Sequence, residues 1–444
     1  MAAITLTGFN GIDFNSILNT VMQYESQPLT AMQDEQTKVQ NKDSAFVSLA
    51  GLISTLQTQV TSLTSSANFI KAAAVSSDAT IATVSAGDNG DVGQYQVSIA
   101  QLAKIQVTKS ANGYSAPTDV AATGGSISFT IGGQTTTAID ITSTTTLSEL
   151  KQKINDQKSG VIASIVNDGT NYKLIISSRE TGEANGFTIN NSLVNSGGTA
   201  VGFTAGQNAT SGNAQNAQNA LFNVNGIDIE STTNKVEDAI PGVTIMLLKA
   251  GDATVDVTRD FSPIKDELKA VVSQYNKLRD FNTQQAKGSL SGDTVLREVL
   301  KDIRQVLLGS NSNSGRYQYL AEIGLEFQSD GTLKLDETKF DSAVTSYSDD
   351  VQKLFQGDAG TTGAGVFGTL TTTLTNLDGT AGLIKSTRDN IQTTLDRYRD
   401  RIERQQTQLE IRRQQLMKQY AAADEAMSRL SQLSSSLSNL QRSV

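Results

Sequence analysis

Cysteine, histidine and tryptophan are absent from this 444-residue chain, only 4 prolines occur, and aromatic residues make up 5% of it. Without cysteine no disulfide framework can form. Without cysteine or histidine there is no Ser-His-Asp or Cys-His nucleophile and no ordinary zinc or copper site. Carboxylate, lysine, tyrosine and serine chemistry stays open, but the familiar hydrolase and redox constellations are excluded. The chain reads as a non-enzyme with no cofactor, no metal and no catalytic residue. Long apolar runs are missing too, so no membrane insertion is expected. The opening Met1-Ala2-Ala3-Ile4-Thr5-Leu6 places no basic residue before an apolar block. No Sec-type signal peptide is therefore visible, and a chain that leaves the cell must use another route. Cations are in the minority, with 36 Lys and Arg against 45 Asp and Glu for a net charge of −9. Phosphate binders gain affinity from cationic surface, so nucleic acid is not an expected partner. The deficit is uneven: Lys385 to Val444 carries 11 cations against 7 anions, whereas Ser76 to Asp260 carries 10 against 17.

What the chain has in place of these features is helical repeat at both ends. Leu395, Ile402, Leu409, Leu416, Ala423, Leu430, Leu437 and Val444 recur every seven residues, the a position of a heptad. At d, Ile391 and Tyr398 are apolar, Gln405, Arg412 and Gln419 are polar, and Ala426, Leu433 and Leu440 are apolar again. A seam polar in its middle predicts packing against something other than an identical parallel copy. Toward the other end Met32, Val39, Phe46, Ile53 and Val60 recur every seven, with Leu49, Leu56 and Leu63 three residues after the last three. Pro28 interrupts the pattern, so Phe14, Ile17, Leu18, Val21 and Met22 form a separate short helix. The two long helices, each on the order of 80 Å, are expected to pair along one rod. Phe46, Leu49, Ile53, Leu56, Leu395, Ile402, Leu409, Leu416, Leu430 and Leu437 are the expected assembly seam, and Gln405, Arg412 and Gln419 its adaptable positions. Met1 to Gln27 and Ser431 to Val444 have too few neighbours in one chain to bury their stripes. They are expected to be mobile in the monomer and ordered by partners.

Between Ser76 and Asp260 the period changes to two. Strands are expected at Ile81–Val84, Gln94–Ile99, Ile127–Ile131, Thr137–Ile141, Gly160–Asn167, Tyr172–Ser177, Leu221–Val224 and Val243–Leu248. Gly132-Gly133 and Asn225-Gly226 read as two-residue hairpin turns, and Leu147 to Ile154 as a short amphipathic helix. Phe129 to Gly133 and Phe222 to Gly226, each followed by a Thr-rich stretch, hint at an internal repeat. Gly197 to Ala220 reads as a linker. Helical patterning resumes with Ser262 as cap and Pro263 at the first helical position. One stripe then runs through Ile264, Leu268, Val271, Tyr275 and Leu278, and another through Leu296, Val299, Leu300, Ile303, Val306 and Leu307. Neither buries its face alone, so they are expected to join both termini in a bundle. The fold class is α+β and multidomain: a helical bundle or coiled coil formed by both termini, with β-rich domains inserted between them.

Four constellations invite sharper readings. Gly363 to Gly368 matches a dinucleotide fingerprint but follows a polar stretch instead of a strand, and reads as a loop. Asp330 to Asp336 lacks the spacing and bidentate Glu of a calcium loop, and reads as a turn, a strand and a helix cap. Arginines 397, 399, 401, 404, 412 and 413 alternate with Asp396, Asp400, Glu403 and Glu410, as on a solvated helix face. Arg412 at d is the exception and calls for a facing carboxylate. Ser434-Ser435-Ser436 shows no spacing that favours a serine nucleophile.

Gly11-Ile12-Asp13-Phe14-Asn15-Ser16-Ile17-Leu18 with Pro28-Leu29 is similar to the opening of the flagellar hook-associated protein 2 family, the bacterial filament caps. So are Gly93 to Val97 with Gln101-Leu102-Ala103, the run Leu147 to Glu183, Val224-Asn225-Gly226 through Asp238 to Thr244, Gly382-Leu383-Ile384, and Asp396-Arg397-Tyr398 with the heptads. The similarity runs in order along nearly the whole chain. It implies an extracellular protein secreted through type III export, forming a homo-oligomeric ring at the distal tip of the flagellum. Terminal helices would be its legs and β-rich heads its plate, under which exported flagellin folds and is inserted. It also implies hook-filament junction proteins as partners and an export chaperone binding the C-terminal segment. The matching organisation has a mobile N-terminal segment (1–40) and a helical leg domain (41–75 with 261–385). The inner head is 76–120 with 220–260, the outer head inserted in it is 121–219, and the C-terminal coiled-coil segment is 386–444. Connections near Ala73 to Asp78 and around Asp260 read as hinges. A surface adhesin using the β-rich head to bind glycan or host protein, and a Ser, Lys or carboxylate hydrolase, remain as other readings of the residues.

Overall fold

A computed structural model describes residues 13–203, 213–358 and 365–441. Val444 of the heptad, Leu440 as a side chain, and parts of the Gly197–Ala220 and Gly363–Gly368 segments lie outside the described residues. Nine helices are described: α1 (Phe14–Glu25), α2 (Gln27–Leu63), α3 (Leu147–Asp156), α4 (Ser262–Gln285), α5 (Thr294–Leu308), α6 (Glu337–Ser346), α7 (Ser348–Gln356), α8 (Val366–Asp378) and α9 (Leu383–Gln441). The chain divides into two units, one built from the chain up to Ser66 and from Ser262 onward, the other from Ala67 to Phe261. The expected boundaries at 40 and 385 fall inside or at the start of continuous helices, so the terminal segments belong to the helical unit instead of standing apart from it.

In the helical unit, the N-terminus of α1 is capped by Asp13, whose carboxylate accepts the amides of Asn15 and Ser16 at 3.0 Å. The break before α2 comes at Ser26, with Pro28 in the first turn, where its missing N–H costs nothing. From Phe46 onward one face of α2 is enclosed. Phe46, Leu49, Ile53, Leu56, Val60 and Leu63 are 0 to 1% exposed, and α2 packs against α4, α8 and α9. Gln274, buried on α4, donates from Nε2 to the Leu52 carbonyl at 2.8 Å, so its amide finds a partner on a neighbouring helix. Val366 and Phe367, expected in a loop, are buried in the first turn of α8, and Phe367 meets the Phe355 ring edge-on at 4.7 Å. A Cβ on Gly365 would lie 2.3 Å from the Phe355–Gln356 backbone, so glycine is required there by helix packing instead of by a phosphate. Asp330 accepts the Thr332 amide and hydroxyl at 2.9 and 2.7 Å, Leu333–Leu335 follows as a strand, and Asp336 caps α6 through the Lys339 amide at 3.1 Å.

The β-rich unit holds two cores. In the first, a five-stranded antiparallel sheet runs in the order Ala72–Ser76, Gly251–Arg259, Gly93–Gln101, Ala220–Val224, Ile227–Ser231. It shares a core of Val97, Ile99, Phe222, Ile245, Val255 and Val257 with the three-stranded sheet Lys235–Ile240, Val243–Leu247, Ala82–Ala86. In the second, the strands Val161–Asn167, Tyr172–Ser178 and Val107–Lys109 and a sheet around Ser126–Ile131 enclose Phe129, Phe187, Leu174 and Ile176 with Leu147, Leu150 and Ile154 of α3. Thr146 and Glu149 form a capping box at the start of α3, where the amphipathic pattern from Leu147 to Ile154 had placed a helix. Both expected hairpins form with left-handed turns, at φ 56° and 82° for Gly132-Gly133 and 49° and 88° for Asn225-Gly226.

Three expectations fail here. The strand expected at Thr137–Ile141 is reduced to Gln134–Thr135 and Ile139–Asp140, because Thr136 turns its hydroxyl onto the Phe129 amide at 3.0 Å. The internal repeat ends with the hairpins, since the first is followed by a helix and the second by the strand Lys235–Ile240. Nor are Ala73–Asp78 and Asp260 loose hinges. Ala72–Ser76 pairs residue for residue with Val255–Arg259, and the Asp260 amide donates to the Lys71 carbonyl at 3.0 Å.

Exposed turn carboxylates set the acid response. Asp78 is held below the usual carboxylate range by the Thr80 hydroxyl, Glu149 by the Thr146 amide, Asp168 by the Asn171 amide and Asp330 by the Thr332 hydroxyl. Asp378 alone is pushed up by burial, against the pull of Arg388. A depressed folded value means the contribution is present above the unfolded pKa of about 4 and is lost as pH falls through the folded one. With no histidine or cysteine to titrate, thermal melts followed by circular dichroism are expected to be flat from about pH 5.5 to 8.5 and to fall below about pH 4.

Candidate assembly surface

The seam between the chain ends is antiparallel and lies inside one chain. Phe14 of α1 stacks on Tyr420 of α9 with ring centroids 5.7 Å apart. Next, Arg412 Nε reaches Glu25 Oε1 at 3.3 Å. Farther along, Asp43 of α2 accepts from Arg388 Nε at 3.3 Å and from Gln392 Nε2 at 2.9 Å. As numbers rise along α1 and α2 they fall along α9, so the partner of the C-terminal heptad is the N-terminal pair of helices. The carboxylate called for opposite Arg412 is Glu25. Both members are nearly half exposed, so their attraction is worth at most about 1 kcal/mol. The Asp43 carboxylate is more sheltered, at 16% exposure. Lys42 beside it pairs with Asp293, the N-cap of α5, at 2.7 Å.

Each expected seam residue now has a place. Phe46, Leu49, Ile53 and Leu56 are sealed inside the helical bundle, so they hold one chain together and present no surface to a second copy. Leu395, Ile402, Leu409 and Leu416 are 3 to 9% exposed on the side of α9 that faces α1 and α2. Burial then stops: Leu430, Leu433 and Leu437 are 67, 63 and 60% exposed. Gln405 is half-buried, and Arg412 and Gln419 are exposed at the edge of the same seam. Phe14 and Leu18, at 8 and 4%, are buried in this chain, which corrects the expectation that α1 stays unpartnered until a second subunit arrives. Past Tyr420, which stacks on Phe14, α9 continues from residue 421 to 441, about 30 Å of helix.

Glu25, Asp43 and Arg388 were not singled out from sequence. One signal was available: stepping the heptad back one repeat from Leu395 lands on Arg388, a charged a position that needs an acidic neighbour. Nothing marked Asp43 as that neighbour, because its partner lies 345 residues away.

The arginine face of α9 is solvated as expected, with Arg399 on Asp396 at 2.8 Å and Arg429 on Glu425 at 2.6 Å. Ser435 and Ser436 donate back to the carbonyls of Ser431 and Gln432 and face no base.

Two family models cover both ends of the chain. The flagellar hook-associated protein 2 N-terminus matches residues 10–106 and the flagellar hook-associated protein 2 C-terminus matches residues 217–432. A flagellin hook IN motif matches residues 126–180, within the second β core. Among individual proteins, the A-type flagellar hook-associated protein 2 of Pseudomonas aeruginosa is 28% identical over 97% of this chain and 95% of its own length. Flagellar hook-associated protein 2 of Escherichia coli K12 is 29% identical over 88% of each. The crystal structure of the D1-D2-D3 domains of the flagellar cap protein FliD from Escherichia coli superposes with a TM-score of 0.59 at 28% identity, covering 78% of this chain and 99% of that one.

Proposed function

The chain belongs to the flagellar hook-associated protein 2 family, and from that membership we propose that it caps the distal tip of a bacterial flagellar filament as a homo-oligomer that promotes insertion of flagellin. No covalent step is required. The cap acts by shape, by holding an unfolded subunit near its vacancy and by adapting as the tip advances. In this reading the helical unit is the leg, the core around Val97 and Phe222 the inner head, and the core around Phe129 and Leu150 the outer head.

The observation that carries the proposal is the unburied end of α9. A chain that closes its own bundle with Leu416 and then leaves Leu430, Leu433 and Leu437 bare along one stripe has a face for a partner from outside. The filament, the hook-filament junction proteins and, before export, a dedicated chaperone are the partners proposed for that face. Export by the flagellar type III route and an extracellular final location go with the same reading.

The half-polar seam suits a leg that must shift. Replacing Gln405, Arg412 and Gln419 together by leucine is expected to raise the thermal midpoint of the helical unit by several degrees while shortening filaments. Unchanged filament length in a strain carrying the triple variant would remove adaptability from the account.

The cap proposal itself is tested by deleting the gene. Abundant monomeric flagellin in the medium with short or absent filaments is the expected result. Normal filaments with lost surface attachment would replace the cap by an adhesin.

A further inference from the structure

Helix α5 sorts its charges by edge. Arg297, Lys301 and Arg304 stand at i, i+4 and i+7 on one edge, and Glu298 and Asp302 stand four apart on the other. Like charges stacked in this way repel within the helix, and a helix facing only solvent gains by interleaving them. Helix α9 does so, with Arg399 on Asp396 and Arg429 on Glu425. The cations of α4 find carboxylates on α6, Lys265 pairing with Asp341 at 3.0 Å and Lys269 with Glu337 at 2.8 Å. Arg297, Lys301 and Arg304 are exposed, and among the described residues none of the three is in an ion pair. In a chain of net charge −9 this cationic ridge runs against the overall balance.

The ridge borders a groove between α5, α4 and the turn at Asp330-Gly331, all within the helical unit. Leu308, 51% exposed, continues the ridge one turn past Arg304, and the half-buried Leu300 lines the groove beside it. The Arg304 guanidinium lies over the Phe327 ring, 5.1 Å from its centroid, which steadies that cation at the groove wall. Arg279 closes the α4 side, with Nη1 on Asp280 at 2.9 Å and Nη2 donating to the Asp330 carbonyl at 2.5 Å. From Arg297 to Leu308 the ridge runs about 16 Å, three turns of helix. Its cations alternate with leucines, so it fits a partner that brings carboxylates and apolar side chains on one face. A continuous polyanion would gain nothing from Leu300 and Leu308 and would meet the Asp330 carboxylate at the rim.

We infer that the ridge Arg297, Lys301, Arg304 and Leu308 of α5 docks an acidic amphipathic helix of another protein. A helix with Glu or Asp at i, i+4 and i+7 and leucine alongside presents the complementary ridge, carboxylates to the three cations and apolar side chains to Leu300 and Leu308. The repulsion held within α5 is relieved when those carboxylates arrive, which is what the unmixed charges of the free helix call for. A groove three turns long with a polar rim makes a weak, fast and salt-sensitive contact. The inference goes beyond the cap reading and does not rest on it.

The test uses the full-length chain and a fluorescent synthetic helical peptide with Glu at i, i+4 and i+7 and Leu on the same face, binding being read by anisotropy in low salt. Binding is expected to weaken about tenfold or more in the variant Arg297→Glu with Arg304→Glu. A peptide of the same composition in scrambled order should bind no better than that variant does. The peptide with lysine at its two outer charged positions should bind the double variant and not the native chain, a rescue that defective folding cannot produce. No binding to the native chain up to about 1 mM peptide, equal binding of the scrambled peptide, or binding untouched by the charge reversal would overturn the inference. Displacement of the labelled peptide by inorganic polyphosphate at lower concentrations than by unlabelled peptide would overturn it too, and would make the ridge a polyanion site.

Discussion

Replacing Phe46 with alanine is expected to destabilise the helical unit by about 3 to 5 kcal/mol. The side chain is 0% exposed where α2 enters the bundle, so truncation removes its transfer free energy and leaves a cavity that rigid helices close only in part. Lys42, 6.0 Å above the ring and paired with Asp293, would lose one of the two contacts that hold it. Urea denaturation followed at 222 nm checks this, with Val47→Ala as a control on the same helix. Val47 is 46% exposed, and its truncation should move the midpoint by no more than about 0.5 kcal/mol. If the two variants unfold alike, the core of the helical unit does not lie along the Phe46–Leu63 stripe.

The second large effect is on assembly and not on folding. Changing Leu430, Leu433 and Leu437 together to glutamine keeps helix propensity and removes the bare apolar stripe. Because all three are more than half exposed in the single chain, its urea midpoint should stay within about 0.5 kcal/mol of the parent. At the tip each leucine stands to contribute about 2 kcal/mol on burial. Losing three is worth on the order of 10⁴-fold in association if the terms add. Filament growth in a strain carrying the triple variant should therefore fail although the protein is made and folded. Normal growth would mean that the stripe has no partner at the tip.

The parts legible in the sequence were those carried by local signals. Pro28 placed the break between α1 and α2, and Ser262-Pro263 placed the start of α4 to within a residue. Asn225-Gly226 placed a hairpin, and the amphipathic pattern from Leu147 to Ile154 placed α3. The strand Gly251–Arg259 carries an ordinary alternation, Ala253, Val255 and Val257 against Asp and Thr, and lies inside the β-rich region expected from Ser76 to Asp260, although no strand was expected at those residues. Other misses have a different cause. Whether a heptad leucine is sealed within one chain or left bare depends on where its partner helix ends. Leu416 and Leu430 look alike in sequence, yet one lies alongside described residues of α1 and the other beyond them.

The central claim is that this chain works at the growing end of the filament. The most direct measurement is to add the purified full-length protein, labelled at a surface position, to a strain lacking its gene and to image single filaments. The account predicts one labelled spot at the distal end of each filament, together with resumed growth and less flagellin shed into the medium. Label spread along filaments or over the cell surface, with flagellin still shed, would contradict it.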